Sequence, residues 1–174
     1  MGLLGSITEP DIRKHLLRDE GEVIVDEVSK HWVAYVRPAL EGLVGLLLLA
    51  TLPLVHADIA WLPFVLAVAL FLHAGWKALQ NRVDRFVITN MRVFRVHGVL
   101  AREQATMPLS RILDITVAKP LVGRVLGYGH FVFESAAQEQ GLRVIRYVGR
   151  PDQRDLSIQR VVQRSGLRGP RVVN

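Results

Sequence analysis

Two apolar runs constrain this chain more than any other feature. ALEGLVGLLLLATLPLV covers residues 39–55 and IAWLPFVLAVALFLHAGW covers residues 59–76, with His56, Ala57 and Asp58 between them. As a helix, each run spans about 26 Å at about 1.5 Å per residue, close to the roughly 30 Å hydrocarbon core of a bilayer. Two such runs joined by a three-residue turn form an antiparallel helical hairpin, whose ends emerge on the same side. The competing reading is a hairpin buried in a soluble domain, but short soluble chains seldom carry helices that are apolar all round. Glu41 is the one acid inside either run. It lies one turn from the start of the first, four residues after Arg37 and at the same depth as His73 on the return helix. A solvated pair at the membrane surface and an intramembrane proton site are both compatible with that placement, and the first is expected because such side chains snorkel.

Basic residues in the short flanks set the orientation. Lys30 and Arg37 border the first run, Lys77, Arg82 and Arg85 border the second, and the turn carries none. Both termini are therefore expected in the cytoplasm of a multi-pass inner (plasma) membrane protein. Trp32, Tyr35, Trp61 and Trp76 fall at the two interfacial levels, as an aromatic belt would. Seven acids precede the first run, so a cleaved signal peptide is not expected and the first span acts as an anchor. With no cysteine in the chain, disulfides, thiolate metal sites and cysteine nucleophiles are excluded.

The polar remainder is electrically divided. Residues 1–36 hold four basic and seven acidic side chains, a net of −3, whereas residues 77–174 hold 17 basic and seven acidic, a net of +10. A basic domain beside an anionic leaflet gains roughly 1 kcal/mol per well-placed cation. Nucleic acid is the weaker expectation for an anchored domain. The expected organisation is a cytoplasmic N-terminal helix and short strand over 1–36, the hairpin over 37–77, a folded cytoplasmic domain over 78–166 and a tail over 167–174. In the first segment Thr8, Pro10 and Asp11 signal a helix start, Gly21 a stop, and 22–28 alternates as a strand or extended lead-in. The helix could lie on the membrane surface, but its acids make docking against the basic domain the expectation.

After the hairpin the period changes to two. Strands are predicted over 83–89, 91–96, the 99–109 stretch, 111–118, 130–136 and 141–148. Asn90 and His97-Gly98 serve as turns, Asn90 because asparagine tolerates the left-handed conformation. Pro120 and Gly127 bracket a helix of one to two turns. Pro151 starts a last helix that places Ile158, Val161 and Val162 on one face. The fold class is thus an α+β membrane protein, with a strongly bent antiparallel sheet or partly open barrel plugged by its C-terminal helix.

Chemistry-bearing motifs are sparse. GRVLGYG at 123–129 lacks the Lys-Ser/Thr of a phosphate loop and the third glycine of a dinucleotide fingerprint. The six histidines show no metal-ligand spacing, and Ser110 and Ser135 have no nucleophile-elbow context. No catalytic residue, cofactor or metal is assigned, and the chain is not expected to be an enzyme. Arginine stands out: Arg92, Arg95, Arg102, Arg111 and Arg124 form a candidate anion- or lipid-binding set. The alternative is the ordinary solvated face of a domain with positive-inside bias.

Residues 86–136 resemble the bacterial pleckstrin-homology membrane proteins of the YdbS-like type. The resemblance rests on Phe86, Thr89, Asn90 and Arg92, on Gly98, on Met107-Pro108-Leu109 with Arg111-Ile112, and on Gly123-Arg124 with Gly127-Tyr128-Gly129. It implies a PH-like bent antiparallel β-barrel with a capping helix, following two adjacent membrane helices, and it implies no particular ligand. Asn90, Pro108 and Gly127 read as turn and packing positions. The functional expectation is a membrane-anchored, non-enzymatic binding or scaffold module at the cytoplasmic face, taking a protein partner or anionic lipid. A second expectation is an accessory subunit of a larger membrane complex, with Ala39, Gly42 and Gly45 allowing close helix contact. An enzyme acting on lipid headgroups has only the arginines in its favour. Oligomeric state stays open.

Overall fold

The computed structural model describes residues 16–17, 19, 21–135 and 142–164. Residues up to His31 and from Val83 onward form one compact unit, and Trp32–Arg82 form another. The N-terminal helix expected before Gly21 falls largely outside the described residues, and the 167–174 tail wholly so.

In the hairpin unit a 3-10 turn, Trp32–Tyr35, leads into α1 (Val36–Ala50), and a second 3-10 turn, Leu52–Leu54, ends the outward run. Pro53 sits in that turn, where its missing N–H disrupts no α-helical bond. The return helix α2 runs Trp61–Val83, so regular helix continues beyond the apolar run. Both passages are long and apolar enough to cross a membrane by length and composition. Their apolar surface is largely uncovered: Leu43, Leu46 and Leu47 on α1 and Leu62, Val65 and Leu72 on α2 are each about half exposed or more. The two helices meet where Gly45 removes a side chain. A Cβ there would stand 3.3 Å from both the Ala67 carbonyl oxygen and the Phe71 ring. At Gly42 nothing lies within 4 Å. Glu41 bridges the pair, its carboxylate 2.7 Å from Nδ1 of His73 and 3.4 Å from Arg37.

Among its described residues the second unit holds seven strands: β1 (Ile24–Ser29), β2 (Arg85–Thr89), β3 (Arg92–His97), β4 (Glu103–Pro108), β5 (Ile112–Ala118), β6 (Tyr128–Ser135) and β7 (Val144–Gly149). They form two antiparallel sheets, β1-β2-β3-β4 and β5-β6-β7. The barrel expectation needs correction here, because among the described residues no closed barrel forms. The ladder breaks after Pro108, where a 3-10 turn, Leu109–Arg111, carries the chain from one sheet to the other. At the opposite seam β1 reaches β7 through a bridge between Lys30 and Val148, and the His31 amide donates to the Tyr147 carbonyl at 2.7 Å. The extended 22–28 stretch is therefore an integral strand: Ser29 pairs with Arg85 and Val28 with Phe86, across the whole hairpin.

Alternation sorts each strand between two environments. Phe86, Ile88, Val93 and Met107 face the space between the sheets, where Phe131, Phe133 and Ile145 meet them. On the other face of the first sheet, Val87, Phe94 and Val96 make a smaller cluster that Leu16 and Ile24 partly cover. This is why β2 is buried on both faces. The helix α3 (Leu121–Leu126) starts after Pro120 and ends on Gly127 at φ +76°, as its bracketing residues predict. The final helix α4 (Pro151–Arg164) turns Ile158, Val161 and Val162 into the main core, as its spacing predicts. Asn90 does not adopt the left-handed conformation. It acts as a clasp: its side-chain oxygen accepts the Val23 amide at 2.8 Å, and its NH2 donates to the Gly21 carbonyl at 3.1 Å.

Candidate functional site

The five singled-out arginines do not converge. Arg92 and Arg95 are three apart on β3, so the two-residue period sends them to opposite faces. Arg92 lies on the Phe94 side, its guanidinium carbon 5.6 Å from that ring centre. Arg95 lies on the side of Val93, opposite Phe86. Arg92 and Arg111 belong to the end of the first sheet where β4 finishes at Pro108, the register partner of Arg92. Arg102 precedes β4 at the other end, where β1 finishes and β2 begins, and Arg124 is on α3. Arg102, Arg111 and Arg124 are exposed.

Arg92 and Arg95 instead hold buried carboxylates. Nε and Nη2 of Arg92 donate to Glu22 at 2.9 and 3.0 Å, and the Glu22 side chain is 0% exposed. The Leu17 amide at 2.7 Å and the Thr89 hydroxyl at 2.8 Å complete its shell. Burial opposes the charge on Glu22, but the Arg92, Leu17 and Thr89 contacts outweigh it and hold the carboxyl below its ordinary range. Thus Thr89, Asn90 and Arg92 together lock the segment before β1. Asp84 repeats the theme: Arg95 donates to both its oxygens at 2.7 Å, and Lys30 approaches at 2.8 Å. Burial again opposes the charge and the two cations again prevail, so Asp84 too sits below the usual carboxylate range. Arg154 of α4 reaches Asp26 at 2.7 Å, and Arg85 lies 3.6 Å from Glu27. Glu22, Asp26 and Glu27 thus form discrete pairs with the basic domain, whereas the docking expected of the helix before Gly21 falls outside the described residues.

The seam between β1 and β7 is the most chemically dense region. A cleft of about 10 Å³ opens there between Lys30, Asp84, Phe86, Arg146 and Tyr147, room for about one water molecule. Beside it His31, Tyr128, His130 and Tyr147 form an aromatic cluster with ring centres 5.3–5.8 Å apart. Tyr147 has φ +59° and Arg150 φ +51°, a conformation that is strained for a bulky side chain and costs on the order of 1–3 kcal/mol. The strained Tyr147 amide is satisfied by Nδ1 of His130 at 3.1 Å. Burial, and then the Arg146 cation, hold His130 below the ordinary histidine range, so near neutral pH it is uncharged and Nδ1 is free to accept. Among the described residues no group of three or more His, Asp or Glu side chains is placed to hold a metal ion. The region braces the seam, with Lys30 held by Asp84 and Arg146 exposed at the rim.

The signature of the bacterial PH domain extends over residues 43–165. The chain belongs to the bacterial PH domain family. No curated protein and no solved structure matches it. PH domains are generally non-catalytic binding modules, and the two sheets with a C-terminal helix are consistent with that fold. In this bacterial PH domain the family match begins inside the first apolar helix, so β1 lies outside it, although β1 supplies an edge of the first sheet. Sequence reasoning missed the two buried carboxylates as well. The odd spacing of Arg92 and Arg95 already separated their faces, but nothing local pairs Arg92 with an acid 70 residues away.

Proposed function

We propose that this bacterial PH domain is a membrane-anchored, non-enzymatic binding module of the YdbS-like type, held at the cytoplasmic face by a two-span hairpin. The observation that carries this reading is the uncovered apolar surface of α1 and α2, which in water would be a far larger hydrophobic patch than soluble chains tolerate. Cations concentrated after the hairpin, including exposed Arg102 and Arg124, suit an acidic partner: anionic lipid or an acidic protein surface. Arg92 and Arg95 serve this module by fixing its buried acids, and removing them would damage the fold as well as any binding.

The test uses the absence of native cysteine. Single cysteines at Ala57 in the hairpin turn and at exposed Gln153 in α4 are introduced separately into the full chain, in intact cells. An impermeant thiol reagent should label Ala57→Cys directly and Gln153→Cys only after permeabilisation. Direct labelling of Gln153→Cys, or none of Ala57→Cys even after permeabilisation, would sink the proposed topology.

A further inference from the structure

The short helix α3 presents an apolar face that no described residue of its own unit covers. Leu121 is 79% exposed, Val125 85% and Val122 57%, and the i, i+1, i+4 spacing puts all three on one side. The backbone is built to hold the helix in this pose. Gly127 closes it at φ +76°, and a Cβ at Gly123 would stand 2.4 Å from the Tyr128 carbonyl oxygen. The residue after Gly127 fixes its position: Tyr128 stacks on His31 at 5.8 Å, and His31 is the last residue before the chain leaves for the apolar hairpin. A second apolar tip occurs independently at the end of the first sheet where β1 finishes and β2 begins. Leu100, 87% exposed, crowns the β3–β4 turn, at the end of the sheet where Ser29, Arg85 and Val96 stand in register. Arg102 follows Leu100, and Arg124 lies within α3. Among the described acids, Asp84 is faced by Arg95 and Lys30 and Asp152 by Lys119, while Glu103 lies 3.8 Å from His97. Apolar tips that each carry an exposed arginine are complementary to an anionic bilayer surface, with hydrocarbon below and phosphate above.

We propose that α3 and the β3–β4 turn dip into the membrane interface, burying Leu100, Leu121, Val122 and Val125 among the lipids while Arg102 and Arg124 meet anionic headgroups. This rests on the hairpin being a membrane anchor, and gives the domain a second, shallow attachment. The lipid is recognised as a charged surface, with no headgroup pocket required.

The full chain is reconstituted into vesicles of zwitterionic lipid with or without phosphatidylglycerol. An environment-sensitive fluorophore is placed on a single cysteine at Val125, at Leu100, at Ser110 in the exposed 3-10 turn at the other end of the first sheet, or at Val65 within the hairpin. Lipids carrying a nitroxide about 5–10 Å below the headgroup boundary act as shallow quenchers, and lipids labelled near the chain terminus act as deep ones. Val125→Cys and Leu100→Cys labels should shift to the blue and be quenched by the shallow lipid, more strongly with phosphatidylglycerol, while Ser110→Cys stays aqueous. The Val65→Cys label should respond to the deep quencher throughout. If Val65→Cys is quenched but Val125→Cys behaves like Ser110→Cys, the interfacial attachment is wrong and the anchor stands. If Val65→Cys is also unquenched, the anchor reading fails and takes the proposal with it. A blue-shifted Val125→Cys label that lipid quenchers do not reach, together with disulfide formation between two copies of unlabelled Val125→Cys, would assign this face to self-association and overturn the proposal.

Discussion

Replacing Arg92 with Met tests whether the clasp before β1 is a coupled unit. The Glu22 side chain is 0% exposed, and the substitution removes two charged hydrogen bonds at 2.9 and 3.0 Å while keeping most of the apolar stem. Breaking a buried ion pair on one side costs about 3–5 kcal/mol, because the remaining charge stays desolvated. Glu22 retains the Leu17 amide and the Thr89 hydroxyl, so the lower part of that range, about 3 kcal/mol, is expected. Glu22→Gln combined with Arg92→Met removes the stranded charge, and the double variant should cost clearly less than the two single changes added together. Amide hydrogen exchange at Val87 and Phe94, read in the full chain, reports opening of the sheet directly. Independent sites add within about 0.3–0.5 kcal/mol. Additivity at that level would refute the coupling, and with it the view that Arg92 is a structural cation.

Acid should act through the same groups. Glu22 and Asp84 are held below ordinary carboxylate values of about 4.3 and 3.9. Their stabilisation is therefore present above those unfolded-state values and lost as pH falls through the lowered folded ones; protection of β2 that rose on acidification below about pH 4 would contradict this. Val161→Asp places an unpaired carboxylate in the core that α4 closes and should cost several kcal/mol, seen as rapid proteolysis at the helix. Gly98→Ala sets a Cβ 1.9 Å from the Ala101 carbonyl oxygen at φ +99°, so the β3–β4 turn must rearrange; unchanged exchange at Val96 and Gln104 would show that the turn is not constrained as described.

Local periodicity carried much of this fold. The 3.6-residue spacing of Ile158, Val161 and Val162 marked the face that enters the core, and Pro120 with Gly127 marked α3 to the residue. Periodicity fails where partners are distant. Short loops normally connect paired strands, so β1 was legible as a short strand or extended lead-in, but its pairing with β2 beyond a two-helix insertion was not. Asn90 misled for a related reason. Its turn chemistry is local, but its hydrogen bonds go to Gly21 and Val23, across the same insertion. The arginines illustrate a further limit, since sequence places Arg92 and Arg95 on one strand but not beside Glu22 and Asp84.

The pairing of β1 with β2 also sets an order of events during synthesis. Ser29 leaves the ribosome well before its partner Arg85, and everything between them must be made first. At about 5–20 residues per second that is a wait of several seconds, during which β1 has no neighbour and Glu22 has no counter-charge. The sheet can therefore close only after the hairpin has been made, and a fragment beginning at the hairpin's end is born with a bare edge along β2. Such a fragment is a different object from the domain: it has lost a strand, and its Arg92 faces the space that Glu22 should fill.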